Sequence, residues 1–214
     1  MKIGVLGTGD VGRALASGLI GLGHDVKIGS RTPESDTLKD WKSKNGVHAS
    51  TGSPADAATF GELVILATLW SGTENAIKLA GPDNFKGKVV IDCTNPLMYA
   101  ENAPPSLALG WNDSGGEQVQ RWLPGARVVK TFNTVGNQHM VKPDFPGGPP
   151  DMFICGDDAA AKEAVAGIVR AFGWIADDVG GIEGARVLEP MCILWVLYGI
   201  HNGAWDHAFK MLRK

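Results

Sequence analysis

Short apolar runs return along the chain at regular intervals. Ile3-Gly4-Val5-Leu6 opens the series, and Leu63-Val64-Ile65-Leu66-Ala67 and Val89-Val90-Ile91 contain no polar position at all. Uninterrupted runs of this length fit strands covered on both faces. Strands are predicted over 2–6, 25–29, 46–49, 63–67, 88–93, 127–131, 151–155 and 174–178. Between them apolar residues recur at helical spacing, as in Val11, Leu15, Leu19 and Leu22. Helices are predicted over 11–22, 33–45, 54–60, 73–80, 114–123, 159–172 and 184–212. The alternation predicts an α/β fold, a doubly wound and mostly parallel sheet with right-handed crossovers, in residues 1–180. Residues 181–214 make a small C-terminal helical part, apolar on most sides, which suits a dimer interface, a lid over the cofactor pocket or simply a cover for the sheet of its own subunit. Pro190 inside it predicts a kink or two helices meeting there.

Two stretches break the alternation. Residues 96–113 form a long connection containing Pro104-Pro105, the kind of loop that often shapes a substrate pocket. Residues 142–150 (KPDFPGGPP) read as a surface loop.

The turn after the first strand is Gly7-Thr8-Gly9-Asp10-Val11-Gly12, a G-x-G-x-x-G match. In so glycine-rich a chain the pattern alone is weak; its place between a strand and a helix gives it meaning. There the first glycine permits the turn, the second lets the backbone approach a diphosphate, and the third packs helix on strand. The helix N-terminus then offers free N–H groups to phosphate. A second signal follows the second strand. Where an NAD site places an acid on the ribose hydroxyls, this chain has Ser30-Arg31-Thr32. A guanidinium there would grip a 2′-phosphate, and Thr32-Pro33 reads as an N-cap and first helical residue aimed at the same spot. Together these predict NADP as the cofactor; the plain alternative for Arg31 is a solvated surface residue.

Ligands in such sheets lie beyond the carboxyl ends of the strands. Those ends carry Thr68-Leu69-Trp70 after the fourth strand, Asn95 after the fifth and Asn133-Thr134-Val135 after the sixth. Asn95 and Asn133 are suited to orient a nicotinamide carboxamide, and Trp70 to wall its pocket or to serve only in packing. Neither Tyr99 nor Tyr198 is followed by a lysine four residues on, so no Tyr-x-x-x-Lys proton relay exists. No histidine pair has metal-ligand spacing, and of the histidines only His139 falls near the strand ends. With no strong general acid, carbonyl reduction is disfavoured relative to hydride transfer to a flavin-like ring. No catalytic residue and no metal ligand is assigned.

Charge and cysteine content narrow the partners. A net charge of −3 gives no reason to expect nucleic acid or an anionic membrane. Cys93, Cys155 and Cys192 are odd in number and far apart, which suggests buried thiols in a reducing cytoplasm.

The blocks KIGVLGTGDVGRALASGLIGLGHDVKIGSRTP, VVIDCTNP, VVKTFNTVGN, FICGDDAAAKEAV and DDVGGIEGAR resemble, in this order, the NADP-dependent coenzyme F-420 (deazaflavin) reductase family. That family shares its fold with the cytoplasmic domain of transmembrane ferric reductases. The resemblance implies a Rossmann NAD(P)-binding fold, a homodimer, and hydride passage between NADP(H) and a deazaflavin or flavin (FAD or FMN) ring, with ferric iron as a further acceptor. It places Thr8, Gly9, Asp10 and Val11 at the diphosphate and Ser30, Arg31 and Thr32 at the 2′-phosphate. It sets Thr68, Leu69, Asn95, Asn133, Thr134 and Val135 around the nicotinamide. Two further readings stay open: reduction of a small imine or carbonyl compound, and a non-enzymatic NADP-binding redox sensor.

Overall fold

The computed structural model describes residues 1–101 and 103–214. Six strands build the central sheet: β1 (Lys2–Leu6), β2 (Asp25–Gly29), β3 (Ala49–Gly52), β4 (Leu63–Leu66), β5 (Val89–Asp92) and, near its far edge, a strand at Arg127–Lys130. Two short strands at Leu97–Met98 (β6) and Ser106–Leu107 (β7) come before that edge strand, which is therefore β8. The order is β3-β2-β1-β4-β5-β8, and all neighbours are parallel. The chain steps outward from β1 to β3, then returns to lay β4 along the other edge of β1. This makes β1 and β4 the switch point, with a ligand crevice beyond their carboxyl ends.

Alternation within the strands sorts the core into two layers. Ile3, Val5, Leu63, Ile65, Val89 and Ile91 pack with Leu15 and Leu19 of α1 (Asp10–Gly21) and with Val165 and Val169 of α6 (Ala159–Ala171). Leu6, Val64, Leu66 and Val90 join Ala57 of α3 (Pro54–Phe60), Ile77 of α4 (Trp70–Ala80) and Val119 of α5 (Gly115–Trp122) on the opposite face. Because adjacent residues serve opposite layers and both are covered, the runs must be apolar throughout.

The structure departs from the sequence expectations at several places. The last two expected strands, β9 (Asp151–Ile154) and β10 (Ile175–Asp178), form a separate parallel pair joined to β8 through an antiparallel bridge between Lys130 and Cys155. β3 begins at Ala49 because Gly46–His48 form a turn of 3-10 helix that leaves Val47 exposed. The 96–113 connection contains two short strands, β6 and β7, that pair antiparallel. α2 (Asp36–Asn45) starts later than Pro33: Ser35 N–H donates to the Thr32 carbonyl at 3.1 Å, closing a turn over Pro33 and Glu34. Thr32 is thus part of a turn and not an N-cap. α7 (Ala185–Asn202) runs unbroken through Pro190 rather than dividing, and it ends ten residues before the expected boundary. Gly203, with φ +61°, takes the left-handed conformation that stops the helix. Beyond it Trp205 returns onto Trp195, and Met211 and Arg213 bond to Asp151, so the tail is tied to β9 instead of extending the helix. Among the described residues no helix is long and apolar enough to cross a membrane.

Candidate functional site

The glycine turn joins β1 to α1 at the switch point. Gly7 has φ +139°, and a Cβ there would stand 2.2 Å from the Ala67 carbonyl oxygen, so only glycine fits. A Cβ on Gly12 would meet the Gly7 carbonyl oxygen at 2.2 Å, which is how the third glycine seats α1 on the turn. Gly9 differs, because no atom lies within 4 Å of where its Cβ would be. It is the N-cap of α1, and no side chain there bonds to the first-turn amides. Those donors, flanked by Thr8, Asp10 and Val11, face open space together with the positive end of the helix. Arg13 was not singled out by the glycine pattern. Its guanidinium donates to the Thr8 carbonyl and to the Asp10 carboxylate, both at 2.5 Å, bracing the turn and adding a cation beside it. A basic residue directly after the third glycine was the available signal.

At the carboxyl end of β2, Ser30 is buried and fixed from two directions. Its N–H donates to the Gly52 carbonyl at 2.9 Å, and its hydroxyl oxygen accepts from the Thr32 N–H at 3.0 Å. This tight loop leaves Arg31 and Thr32 exposed, and Arg31 has no ion-pair partner among the described residues. An open amide cradle and an unpaired guanidinium on neighbouring strands suit an anionic dinucleotide carrying a third phosphate.

Further along the crevice the Thr68 and Thr73 hydroxyls bond at 2.8 Å, Leu69 is 76% exposed, and Trp70 begins α4. The Trp70 ring stacks on Trp122 at 5.4 Å, which ties it into packing between α4 and α5. Asn95 and Asn133 come together. Asn95 Nδ2 donates to the Asn133 carbonyl at 2.9 Å, and Asn133 Nδ2 donates to Asn95 Oδ1 at 3.0 Å and to the Leu188 carbonyl at 2.9 Å. Each amide nitrogen faces a carbonyl-type oxygen, so both side-chain orientations are determined. Thr134 and Val135, next along the chain, are buried. Phe132, just before Asn133, has φ +58°, an uncommon conformation for a bulky residue, and its ring is buried against Phe172. His139 is held by Asp206 at 2.8 Å and packs on Phe145, engaged with the C-terminal tail.

Beneath the asparagine pair lies a cluster that sequence reasoning did not assemble. Asp92 and Lys130 are register partners on β5 and β8, with Lys130 Nζ 2.7 Å from Asp92 Oδ2. Lys130 also donates to the Thr94 carbonyl at 2.7 Å and lies 3.1 Å from Glu189 Oε1 of α7. All three side chains are buried. Burial disfavours the Lys130 charge, but Asp92 and Glu189 more than offset it and hold the ammonium above the usual lysine range. Burial pushes the Glu189 carboxyl up, against the opposing pull of Lys130 and the Gly115 amide. The signal in the sequence was a charge inside each of three apolar elements, which requires a buried partner.

The sheet order and the glycine turn at the switch point are those of a Rossmann-type dinucleotide-binding fold. Similarity to known proteins narrows the class. Residues 2–96 match the family model described as NADP oxidoreductase, coenzyme F420-dependent. The F420-dependent NADP reductase of Methanothermobacter marburgensis is 31% identical, with 94% of each chain covered. A crystal structure from Arthrobacter sp. FB24, assigned as an F420-dependent NADP reductase, superposes with a TM-score of 0.94 at 39% identity over 100% of both chains. Metalloreductase STEAP3 of Rattus norvegicus is 30% identical over 89% of this chain, which spans only 36% of that protein. The chain belongs to the F420-dependent NADP reductase family.

Proposed function

We propose that the protein passes hydride between NADP(H) and C5 of a deazaflavin ring, that of coenzyme F420. The first-turn amides of α1, with Gly7, Thr8, Gly9, Asp10, Val11 and Gly12, hold the diphosphate in this reading. Ser30, Arg31 and Thr32 take the 2′-phosphate. Asn95 and Asn133 orient the nicotinamide carboxamide, with Thr68, Leu69, Thr134 and Val135 lining the ring. When bound, NADPH supplies the hydride; the deazaflavin takes it at C5 and takes a proton from solvent.

The observation that carries the choice of acceptor is the condition of Lys130. Its ammonium donates to the carbonyl of Thr94, next to Asn95, yet it is buried, triply engaged and held charged, so it offers no proton to a carbonyl or imine product. Transfer to a flavin-like ring needs stacking, orientation and exclusion of water instead. Leu69 and, on the 96–113 arm, the exposed Met98, Tyr99 and Trp111 supply apolar and aromatic surface for a planar ring.

Steady-state oxidation of NADPH with coenzyme F420, FMN, FAD, ferric citrate and a cyclic imine as separate acceptors tests this reading. Turnover with coenzyme F420 is expected. Turnover with the imine alone would move the protein to imine reduction, and turnover with FMN, FAD or ferric citrate alone would change the acceptor class. Binding of NADPH without oxidation by any acceptor would favour a redox sensor.

We infer further that the protein is a cytoplasmic homodimer with 1–180 as its nucleotide-binding part and 181–214 as its assembly part. In support, α7 exposes Val187, Leu194, Tyr198 and Ile200, and the three cysteines are free and buried. Leu194→Glu is expected to give a monomer in sedimentation velocity; an unchanged dimer would place the interface elsewhere.

A further inference from the structure

We propose that Glu189 is a positioning residue for the nicotinamide end of the cofactor, acting through the Leu188 carbonyl and Asn133. The proposal rests on the reading that the Asn95–Asn133 pair meets the nicotinamide.

Glu189 lies on α7, far in sequence from the strand ends, and is 1% exposed. Its two oxygens are fully engaged: Oε2 accepts from the Gly115 N–H at 2.9 Å, and Oε1 accepts from the Gly116 N–H at 3.0 Å and faces Lys130 Nζ at 3.1 Å. One carboxylate therefore links α7, the N-terminus of α5 and the end of β8. A buried ion pair is a poor source of net stability, since apolar replacements of similar volume are often as stable or more so. What it does supply is a defined position for α7 relative to β8. The neighbouring Leu188 carbonyl uses that position to accept from Asn133 Nδ2. Both hydrogens of Asn133 Nδ2 are then committed, to Leu188 and to Asn95. Among the described residues Asn133 Oδ1 has no protein partner, leaving it as the acceptor turned toward a carboxamide N–H. Displacing α7 at this point frees the Asn133 amide to rotate, while the phosphate-binding turns on β1 and β2 are untouched.

The test uses Glu189→Gln, with Gly115→Ala as a second variant. A Cβ on Gly115 would lie 2.9 Å from Glu189 Oε1, 3.2 Å from Trp70 and 3.3 Å from Pro96, so it displaces the carboxylate without removing its charge. Three quantities are read: calorimetric affinity for 2′,5′-ADP, fluorescence anisotropy of the bound reduced nicotinamide, and the single-turnover rate of hydride transfer to coenzyme F420. Affinity for 2′,5′-ADP is expected to stay within about twofold, because that fragment reaches only the phosphate end. Anisotropy is expected to fall, and hydride transfer to slow by about tenfold or more. In an Asn133→Ala background Glu189→Gln is expected to change the rate by less than about twofold, the signature of action through Asn133. Losses that add to those of Asn133→Ala, or a folded Glu189→Gln protein with unchanged anisotropy and rate, would overturn the proposal. Should neither variant fold, Glu189 is a purely structural residue and the proposal fails equally. If Asn133→Ala itself leaves anisotropy and rate unchanged, the failure lies in the nicotinamide reading instead.

Discussion

Replacing Arg31 with alanine separates the two nicotinamide cofactors. The side chain is exposed and has no ion-pair partner among the described residues, so removing it breaks no ion pair and should alter stability by less than about 0.5 kcal/mol. Its absence is felt only by a ligand with charge at the 2′ position. A phosphate monoester carries about −1.5 to −2 charge at neutral pH, and a hydrogen bond to a charged group contributes about 1.5–3 kcal/mol. NADPH affinity should then fall about 12- to 160-fold, while NADH, which lacks the phosphate, changes by less than about twofold. The loss should shrink as salt rises, because the Debye length falls to about 3 Å at 1 M ionic strength. Fluorescence titration of wild type and Arg31→Ala with both cofactors, at low and high salt, measures all of this. An equal loss for NADPH and NADH would refute the 2′-phosphate role, as would a loss independent of salt.

Other perturbations report on neighbouring parts of the site. Gly9→Ala meets no protein atom within 4 Å, so its thermal midpoint should hold while NADPH binding weakens at least about tenfold; Gly12→Ala, 2.2 Å from a carbonyl oxygen, should lower the midpoint. Unchanged NADPH affinity in Gly9→Ala would show that no diphosphate approaches the turn. Lys130→Met leaves Asp92 and Glu189 buried without their cation and should cost about 3–5 kcal/mol in urea unfolding. Undiminished stability would mean the ion cluster does not form. At low pH, Glu117 should matter: the Arg186 guanidinium and the Ser114 hydroxyl hold its carboxyl below the ordinary value of 4.5 against burial. Its stabilising contribution is therefore present above 4.5 and lost as pH falls through the lowered value. Glu117→Gln should lose less stability than wild type on acidification, and parallel pH curves would contradict this.

Much of the frame was legible in the sequence because both sheet faces are covered, which writes β1, β4 and β5 as unbroken apolar runs. The glycine turn was legible for a related reason, since backbone contacts at Gly7 and Gly12 leave no choice of residue. Element ends were less readable. Thr32-Pro33 has the chemistry of a helix start, yet a turn closed on the Thr32 carbonyl delays α2 until Asp36. The C-terminal apolar pattern continued past Asn202, but Gly203 ended the helix, and Trp205, Ala208 and Phe209 fold back onto Trp195 and the core while Leu212 stays exposed. The Asp92–Lys130–Glu189 cluster could not be paired from spacing, because its members lie on two strands and a distant helix. Only the burial of each charge hinted that partners existed.

Hydride transfer itself is followed most directly with NADPH carrying deuterium at the transferring C4 position, incubated with the protein and coenzyme F420. Mass spectrometry of the reduced deazaflavin should find the label at C5, with none washed into solvent. Reduced deazaflavin without the label, or no reduction at all while NADPH remains bound, would contradict direct transfer between the two rings.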